Sequence, residues 1–369
     1  MSRARLLPLV AAALFATGCE PAHRGTALFS RVLPADCGAV SEGEAWISNT
    51  QIGTVGIAMP EGAVSIQARV WTDDGGETLI SAFRRPDGSA AFDSQSWIGD
   101  PDQLTMAWLA SPKDTVFDWP IRAVDGTLFG GVWGLEIAST NAVSGFIGTN
   151  VHVALTTRCS STASTLPVTV ALADGLADDP DNYPVIEDAI VDWGQLYASW
   201  GIALAVSEVT ADMDSPLPLS DAAGDAYAQV YGESGAVGVL LVLGDTVDEP
   251  GVGGVDFSVP GALGPLPDAA CIVGWRDVSG HDGPLLPSDR RSLAAVMAHE
   301  VGHYMGLEHP VEDTFDQFDA LDDTPRCDSA DGCLSALGSN LMYGQPETPL
   351  GEDLTPEQIA VLHNWPGLE

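Results

Sequence analysis

The amino-acid sequence predicts two domains of different class, an all-β sandwich of jelly-roll type followed by an α+β domain. Up to residue 159, short runs of alternating apolar and polar residues recur, and turn-forming residues separate them about every ten positions. From residue 166, strand-like runs alternate with longer stretches of helical periodicity. The segment Ser160–Thr165 between them is small and polar, which is typical of a linker.

The length of the chain agrees with this division, since 369 residues exceed the usual size of one hydrophobic core. The motifs of high specificity all lie in the second domain. We therefore expect the following order of segments: a signal peptide at 1–18, a tether at 19–36, the β-sandwich at 37–159, the linker at 160–165 and the α+β domain at 166–369.

The N-terminus has the three parts of an export signal. Arg3 and Arg5 form a short basic region, and Leu6–Phe15 is an apolar stretch. Ala16-Thr17-Gly18 then offers a cleavage site of small residues before Cys19. The apolar stretch is too short to span a bilayer as a mature helix, and no other segment approaches the ~18 uninterrupted apolar residues that a membrane helix needs.

The cleavage junction leaves two destinations open. Ala16–Cys19 resembles a bacterial lipobox, which implies that Cys19 is lipidated and becomes the first mature residue. Glu20 stands where an aspartate often retains lipoproteins at the inner membrane, so this resemblance implies an outer-membrane lipoprotein. Ala16 and Gly18 suit the ordinary signal peptidase equally, and the protein would then be secreted. Both alternatives export the chain.

The first domain is predicted from runs with strand periodicity. Val64–Val70 and Val151–Thr157 alternate apolar and polar residues, and Leu104–Leu109 is a short apolar run. Two further segments, Leu109–Thr115 and Gly131–Ile137, resemble landmarks of the jelly-roll P domain that accompanies some secreted peptidases. This resemblance implies a jelly roll.

The cysteines suggest disulfides, since an exported chain meets an oxidising environment. Cys37 and Cys159 bracket the first domain, and Cys327 and Cys333 are close enough in sequence to close a small loop. Cys271 would then be left over. Pairing of Cys271 with Cys327 or Cys333 is the alternative, because spacing alone does not fix connectivity.

The charge balance bears on partners. The chain has 52 acidic and 14 basic residues, a formal net charge of −38. Nucleic acids and anionic membranes need cationic patches, so we expect neither as a partner. Two acidic segments, Asp174–Asp181 and Asp313–Asp323, are candidates for calcium binding, and solvated turns are the alternative.

The second domain is predicted as strands and helices in alternation. A proline at position 184 suits the first turn of a helix. Near the C-terminus, Thr355-Pro356-Glu357-Gln358 predicts a capped helix start, with Thr355 as N-cap and Gln358 reaching back. The expected elements are strands at Pro167–Ala173, Ile202–Val209, Val237–Leu243 and Cys271–Trp275, and helices at Pro184–Trp200 and from about Ser288.

Residues 299–309, His-Glu-Val-Gly-His-Tyr-Met-Gly-Leu-Glu-His, carry the chemistry of this domain. His299 and His303 lie four positions apart, so on a helix both rings project from one face and can bind one metal ion. Gly306 can adopt the left-handed conformation that ends a helix and brings His309 back as a third ligand. Three protein ligands leave a fourth position for water, as in catalytic zinc sites. Glu300 can take a proton from that water and pass it to a leaving amine.

This string resembles the metzincin zinc metallopeptidases, whose second hallmark is a methionine turn below the metal. Ser339–Gly344 contains a matching methionine, Met342. The resemblance implies a twisted mixed sheet, a backing helix, an active-site helix and a zinc-dependent endopeptidase activity on protein substrates. It also implies that an edge strand, here Val255–Ser258, binds extended peptides. Tyr343 is a candidate for supporting the transition state.

Several features bear on the branch of the family. The segment Asp322–Pro325, followed by Cys327 and Cys333, resembles the pappalysin-like branch. Leu341–Tyr343 resembles the matrixins, and Pro310 directly after the third histidine resembles the serralysins. The sequence leaves the pappalysin-like and matrixin-like branches open.

A function of another class stands beside the peptidase. In this alternative the chain is a surface-binding or adhesion lipoprotein, the β-sandwich binds the partner, and the zinc centre is vestigial. The complete ligand set argues against it, because a decayed site would be expected to lose Glu300 or a histidine.

Overall fold

The computed structural model describes residues 32–38, 40–47, 53–72, 78–94, 108–110, 114–139, 149–219, 224–236, 238–249, 251–264, 269–344 and 350–369. The chain forms two compact units: unit 1 ends at Cys159, and unit 2 comprises Ser160–Glu369 together with Ile121–Ala123. The predicted signal peptide, Cys19 and most of the tether lie outside the described residues. Within the described ranges, no helix combines the length and apolar character needed to cross a membrane.

Unit 1 contains two five-stranded sheets, ordered β1-β3-β9-β5-β6 and β2-β10-β4-β8-β7. Nearly all pairs are antiparallel, and β1 is parallel to β3. The strands are β1 (Val32–Pro34), β2 (Val40–Ile47), β3 (Gly53–Met59), β4 (Ser65–Thr72), β5 (Thr78–Arg84), β6 (Ala90–Asp93), β7 (Trp108–Ala110), β8 (Asp114–Trp119), β9 (Gly131–Ser139) and β10 (Thr149–Arg158).

Aromatic side chains of the two sheets pack together in the core of unit 1. Phe83 of β5 lies with its ring centroid 5.5 Å from that of Phe117 of β8, and 4.9 Å from that of Trp133 in its own sheet. All three are buried, because alternate residues of each strand point inward. A disulfide joins Cys37 to Cys159, and this predicted pairing is confirmed. The jelly-roll connectivity and the likeness to a P domain stay predictions.

Unit 2 is built on a five-stranded sheet ordered β12-β11-β13-β15-β14. Four strands are parallel, and β14 pairs antiparallel with β15 at one edge. The predicted edge strand is therefore confirmed, although it begins one residue earlier and ends two residues earlier than expected. The strands are β11 (Thr165–Leu172), β12 (Ala203–Thr210), β13 (Val239–Gly244), β14 (Gly254–Asp256) and β15 (Cys271–Gly274).

The α-helices described in unit 2 are α1 (Tyr183–Ser199), α2 (Gly224–Ser234), α3 (Trp275–Ser279), α4 (Arg290–Tyr304), α5 (Ala330–Leu337) and α6 (Pro356–Asn364). Helices α1 and α4 are the two that were predicted beside the sheet. Helix α1 lies against α4, where the hydroxyl of Tyr197 donates to the carbonyl of Ala298 at 3.2 Å. Trp193, on the same stripe of α1, is fully buried. Burial of this stripe fixes α1 as the backing helix of α4.

Two local predictions for unit 2 are also confirmed. Thr355 caps α6 in a capping box: its side chain accepts from the amide of Gln358, and the Gln358 side chain accepts from the amide of Thr355. Cys327 and Cys333 form a disulfide, and Cys271 is a buried free thiol. The alternative pairing of Cys271 is thereby ruled out in this structure.

Candidate metal centre

Helix α4 and the turn after it bring three histidines together. His299 and His303 are one helical turn apart on one face of α4. The helix ends at Tyr304, and two residues later Gly306 has the predicted left-handed conformation, with a φ of 99° that glycine tolerates. The chain reverses there, and His309 returns towards the two helical histidines.

The Nε2 atoms of the three rings converge on one point. They are 3.1 Å apart for His299 and His303, 3.2 Å for His303 and His309, and 3.3 Å for His309 and His299. A tetrahedral zinc ion with Zn–N bonds of roughly 2.0 to 2.1 Å requires ligand nitrogens about 3.3 Å apart. The donor set and its spacing therefore fit zinc.

The other ring nitrogens are held by acceptors. Nδ1 of His299 donates to the carbonyl of Leu341 at 2.8 Å, and Nδ1 of His303 donates to the carbonyl of Leu307 at 2.6 Å. A carbonyl oxygen only accepts, so each Nδ1 carries the proton and each Nε2 keeps its lone pair for a metal. Nδ1 of His309 faces a carboxylate, Oε1 of Glu312, at 3.4 Å.

The protonation of the histidines follows from their surroundings. Burial, with His309 close by, lowers the pKa of His299 to about 3, so this ring is neutral at physiological pH. Burial also lowers the pKa of His309, but the adjacent carboxylate of Glu312, together with the charges of Glu308 and Glu300, outweighs it, and the pKa lies above its usual value. A metal ligand must be neutral, so metal binding displaces a proton from any protonated His309.

Glu300 lies between the metal ligands and the edge strand. Its side chain passes so close to Gly254 that a Cβ at Gly254 would lie 2.7 Å from Oε1. The amide of Asp256, also on β14, donates to the Glu300 carboxylate. Burial raises the pKa of Glu300 to about 8, partly offset by His309 and this amide. Glu300 is therefore buried beside β14 and close enough to His309 for their charges to interact.

The turn that contains Met342 packs against helix α4. Met342 is fully buried, and the amide of Met342 donates to Oδ1 of Asn340 at 2.9 Å, which fixes the turn. Tyr343 is also buried, at 2% exposure, in an apolar cluster with Val311 and Cys333. A role for Tyr343 in supporting the transition state stays a prediction.

Sequence reasoning missed two buried polar groups behind the site. Asp256 of β14 and Cys271 of β15 are paired across the sheet edge, and Sγ of Cys271 lies 3.8 Å from Oδ1 of Asp256. The same thiol lies 3.5 Å from the main-chain carbonyl of Glu300. Burial, together with the charge of Glu300, raises the pKa of Asp256 well above its usual value. Neither residue has a motif spacing that could have indicated this contact.

In each of the two acidic segments, an aspartate carboxylate accepts hydrogen bonds from other groups of the protein. The Asp174 carboxylate accepts from the amide and hydroxyl of Ser215 and from the amide of Asp245. In the second segment, Asp319 is 2% exposed, and its Oδ1 accepts from the hydroxyl of Thr324 at 2.5 Å. Calcium binding in either segment stays a prediction.

The other described histidines contact residues outside the candidate metal centre. His152 stacks on Trp71, with ring centroids 5.2 Å apart. His281 lies 2.9 Å from the carboxylate of Asp289, and Nε2 of His363 lies 2.8 Å from the carbonyl of Trp200. None of these three contacts involves a residue of the three-histidine group.

Similarity to known proteins is found among solved structures. No protein-family model and no curated protein sequence matches the chain. Among solved structures it is similar to archaemetzincin from Methanopyrus kandleri, with 14% identity and a TM-score of 0.30, over 53% of this chain and 93% of that one. It is also similar to metalloproteinase-II from Bacteroides fragilis, with 15% identity and a TM-score of 0.32, over 58% of this chain and 62% of that one. Both scores are low, and neither likeness carries an argument about function.

Proposed function

We propose that this protein is an exported zinc-dependent metalloendopeptidase of the metzincin type. The observation that supports this most directly is the convergence of three Nε2 atoms within 3.3 Å of one another, each on a ring whose Nδ1 faces an acceptor. Three nitrogen ligands would leave the fourth position of a tetrahedral zinc ion to water, which favours a catalytic zinc site over a closed structural one.

Each residue of the site has a role in hydrolysis. Zinc held by His299, His303 and His309 would polarise the scissile carbonyl and make a neighbouring water more acidic. Glu300 takes the proton of the attacking water and then delivers it to the leaving amine. The amide of Asp256 holds the Glu300 carboxylate towards this path.

The edge strand supports an extended peptide as substrate. Strand β14 pairs with β15 on one side and is the last strand of its sheet, so its outer edge can receive another strand. A peptide bound there by main-chain hydrogen bonds must be extended but is only weakly restricted in side chains. Unfolded segments of proteins are therefore the substrate class that we propose.

Export and lipidation are parts of the same proposal. The disulfides of both units, Cys37–Cys159 and Cys327–Cys333, are compatible with an oxidising compartment. We take the mature chain to start at Cys19 as an outer-membrane lipoprotein, with secretion as the alternative. Mass spectrometry of the mature N-terminus distinguishes them: a diacylated Cys19 supports the anchor, and an unmodified or later start contradicts it.

The pappalysin-like branch is our proposal for the place of the chain within the metzincins. The disulfide Cys327–Cys333 lies between the third histidine and the methionine turn, where that branch carries cysteines. The preceding Asp-Thr-Pro segment joins local elements: Asp323 accepts from the Thr355 hydroxyl at 2.7 Å, and Thr324 donates to Asp319.

The proposed function is tested on the purified mature protein. We expect about one zinc per chain and cleavage of an unstructured protein such as a denatured, alkylated polypeptide, and a chelator should abolish both. Glu300→Gln should keep the metal and remove nearly all turnover, because it removes the proton acceptor and no ligand. Undiminished cleavage by Glu300→Gln would reject the mechanism, and a metal-free, inactive wild type would reject the peptidase itself.

A further inference from the structure

The third histidine is held differently from the first two. His299 and His303 donate to main-chain carbonyls, whereas Nδ1 of His309 faces a side-chain carboxylate, Oε1 of Glu312, at 3.4 Å. This separation is that of an ion pair and is longer than a typical N–H···O hydrogen bond. Both side chains are partly exposed, His309 at 27% and Glu312 at 26%.

The main chain of Glu312 is fixed by a short hairpin. Its amide donates to the carbonyl of Gln317 at 3.0 Å, and its carbonyl accepts from the amide of Phe315 at 2.9 Å. An antiparallel bridge between Val311 and Phe318 closes the hairpin. Because Glu312 is anchored at both its amide and its carbonyl, its side chain starts from a defined point three residues after His309.

An apolar cluster holds the hairpin in place. Val311 packs with Cys333, Leu337 and Tyr343, all less than 3% exposed, and the hairpin residues Phe315 and Phe318 lie against this cluster. The cluster contains one half of the Cys327–Cys333 disulfide and the residue after the turn methionine. The position of Glu312 is therefore tied to the packing around Tyr343, the residue after Met342.

We infer that Glu312 is a positioning residue that orients His309 and strengthens it as a metal ligand. This inference rests on the proposed zinc site. A carboxylate at Nδ1 selects the tautomer with the proton on Nδ1, fixes the ring plane and makes Nε2 a stronger donor to zinc. Loss of such a partner weakens metal affinity by about 10- to 100-fold in comparable sites.

Zinc affinity, measured by competition with a chromogenic chelator in the absence of substrate, tests the inference. Glu312→Ala removes both charge and acceptor, and Glu312→Gln keeps an acceptor oxygen but no charge. The matched control is Asp316→Asn, which removes one negative charge from the same hairpin at an exposed position. We expect affinity to fall in the order wild type, Glu312→Gln, Glu312→Ala, with a loss of about 10- to 100-fold for the alanine variant and almost none for the control.

A second readout separates positioning from a general loss of structure. The visible spectrum of the cobalt-substituted protein reports the ligand field, so it should change in Glu312→Ala and stay unchanged in Asp316→Asn. Thermal unfolding of the metal-free proteins should be nearly the same for all variants.

The possible outcomes are distinguishable. Wild-type zinc affinity in Glu312→Ala, or an equal loss in Asp316→Asn, overturns the role of Glu312 and leaves the peptidase standing. A wild type that binds no zinc overturns both proposals. Zinc binding that depends on Glu312 in a protein without peptidase activity supports the role of Glu312 and rejects the proposed function.

Discussion

Gly302 of helix α4 and Met342 of the turn at residues 339–344 are in contact. A Cβ at Gly302 would lie 2.9 Å from Sδ of Met342 and 3.4 Å from its Cε. Gly302 stands one residue before the second histidine, so the side chain of Met342 packs directly against the segment of α4 that carries the ligands. A glycine at this point lets the methionine approach the helix closely enough to support it.

The first prediction follows from this contact. Gly302→Ala gains about 1 kcal/mol of helix propensity but forces an overlap with Met342 that costs about 1–3 kcal/mol. We expect a net loss of stability and weaker zinc binding, because the helix or the turn must shift. Thermal unfolding and chelator competition measure the two effects.

A matched control for this substitution exists in the backing helix. Gly194 lies in the middle of α1, and a Cβ there would meet no atom within 4 Å. Gly194→Ala should therefore raise stability by about 0.5–1 kcal/mol through helix propensity alone. If Gly302→Ala were stabilising by a similar amount, the packing role of Met342 would be wrong.

The second prediction concerns Gly254 on the edge strand. A Cβ at Gly254 would lie 2.7 Å from Oε1 and 2.8 Å from Cγ of Glu300, so Gly254→Ala must displace the proposed general base. A displacement of about 1 Å at a reacting group costs on the order of 100-fold in rate. We expect kcat/KM to fall by that order while zinc content stays at the wild-type level.

The double variant Gly254→Ala/Glu300→Gln checks that the effect acts through Glu300. Two changes that act on one group are not additive, so the double variant should be no slower than Glu300→Gln alone. A further loss of rate in the double variant would show that Gly254 acts on substrate binding instead.

The parts of the site that could be predicted are those encoded by local spacing. His299 and His303 share a helix face through a four-residue interval, and the glycine at 306 has the left-handed conformation just after that helix ends. The capping box at Thr355 is likewise set by neighbours three residues apart. Such features depend on backbone geometry within one or two turns, which the sequence displays directly.

The parts that could not be predicted depend on long-range packing. Asp256 meets Cys271 across a strand pair, and Gly254 meets Glu300 on a different element. Helix α2 was missed because its glycine and serine content weakens any apolar period, and tertiary burial of Tyr227 and Tyr231 stabilises it instead.

The third prediction concerns the disulfide of unit 1. Cys37 and Cys159 are 122 residues apart, so their bond closes a long loop and restricts the unfolded chain strongly. Replacing both by serine should lower the free energy of unfolding of unit 1 by about 2–5 kcal/mol. Urea unfolding followed by tryptophan fluorescence measures the change, and an unaltered midpoint would contradict it.

The last prediction concerns pH and a buried carboxyl in unit 1. Asp118 of β8 is 2% exposed, and Oδ1 accepts from Nε2 of the buried Gln67 at 2.9 Å. Burial raises the pKa of Asp118 to about 8, with the hydrogen bond from Gln67 acting in the opposite direction. In the unfolded chain the pKa of an aspartate is about 3.9.

The sign of the effect follows because the folded state binds the proton more tightly than the unfolded state. The contribution of Asp118 to stability is fully present below about pH 4 and is lost as the pH rises towards the folded pKa of about 8, by at most about 1.4 kcal/mol per pH unit.

Asp118→Asn mimics the protonated carboxyl at every pH. The variant should therefore match the wild type near pH 4 and be more stable at pH 8, with the gap opening steadily between them. Urea unfolding at a series of pH values, followed by tryptophan fluorescence in both proteins, measures this gap. A gap that stays constant with pH would show that Asp118 is ionised in the folded protein throughout this range.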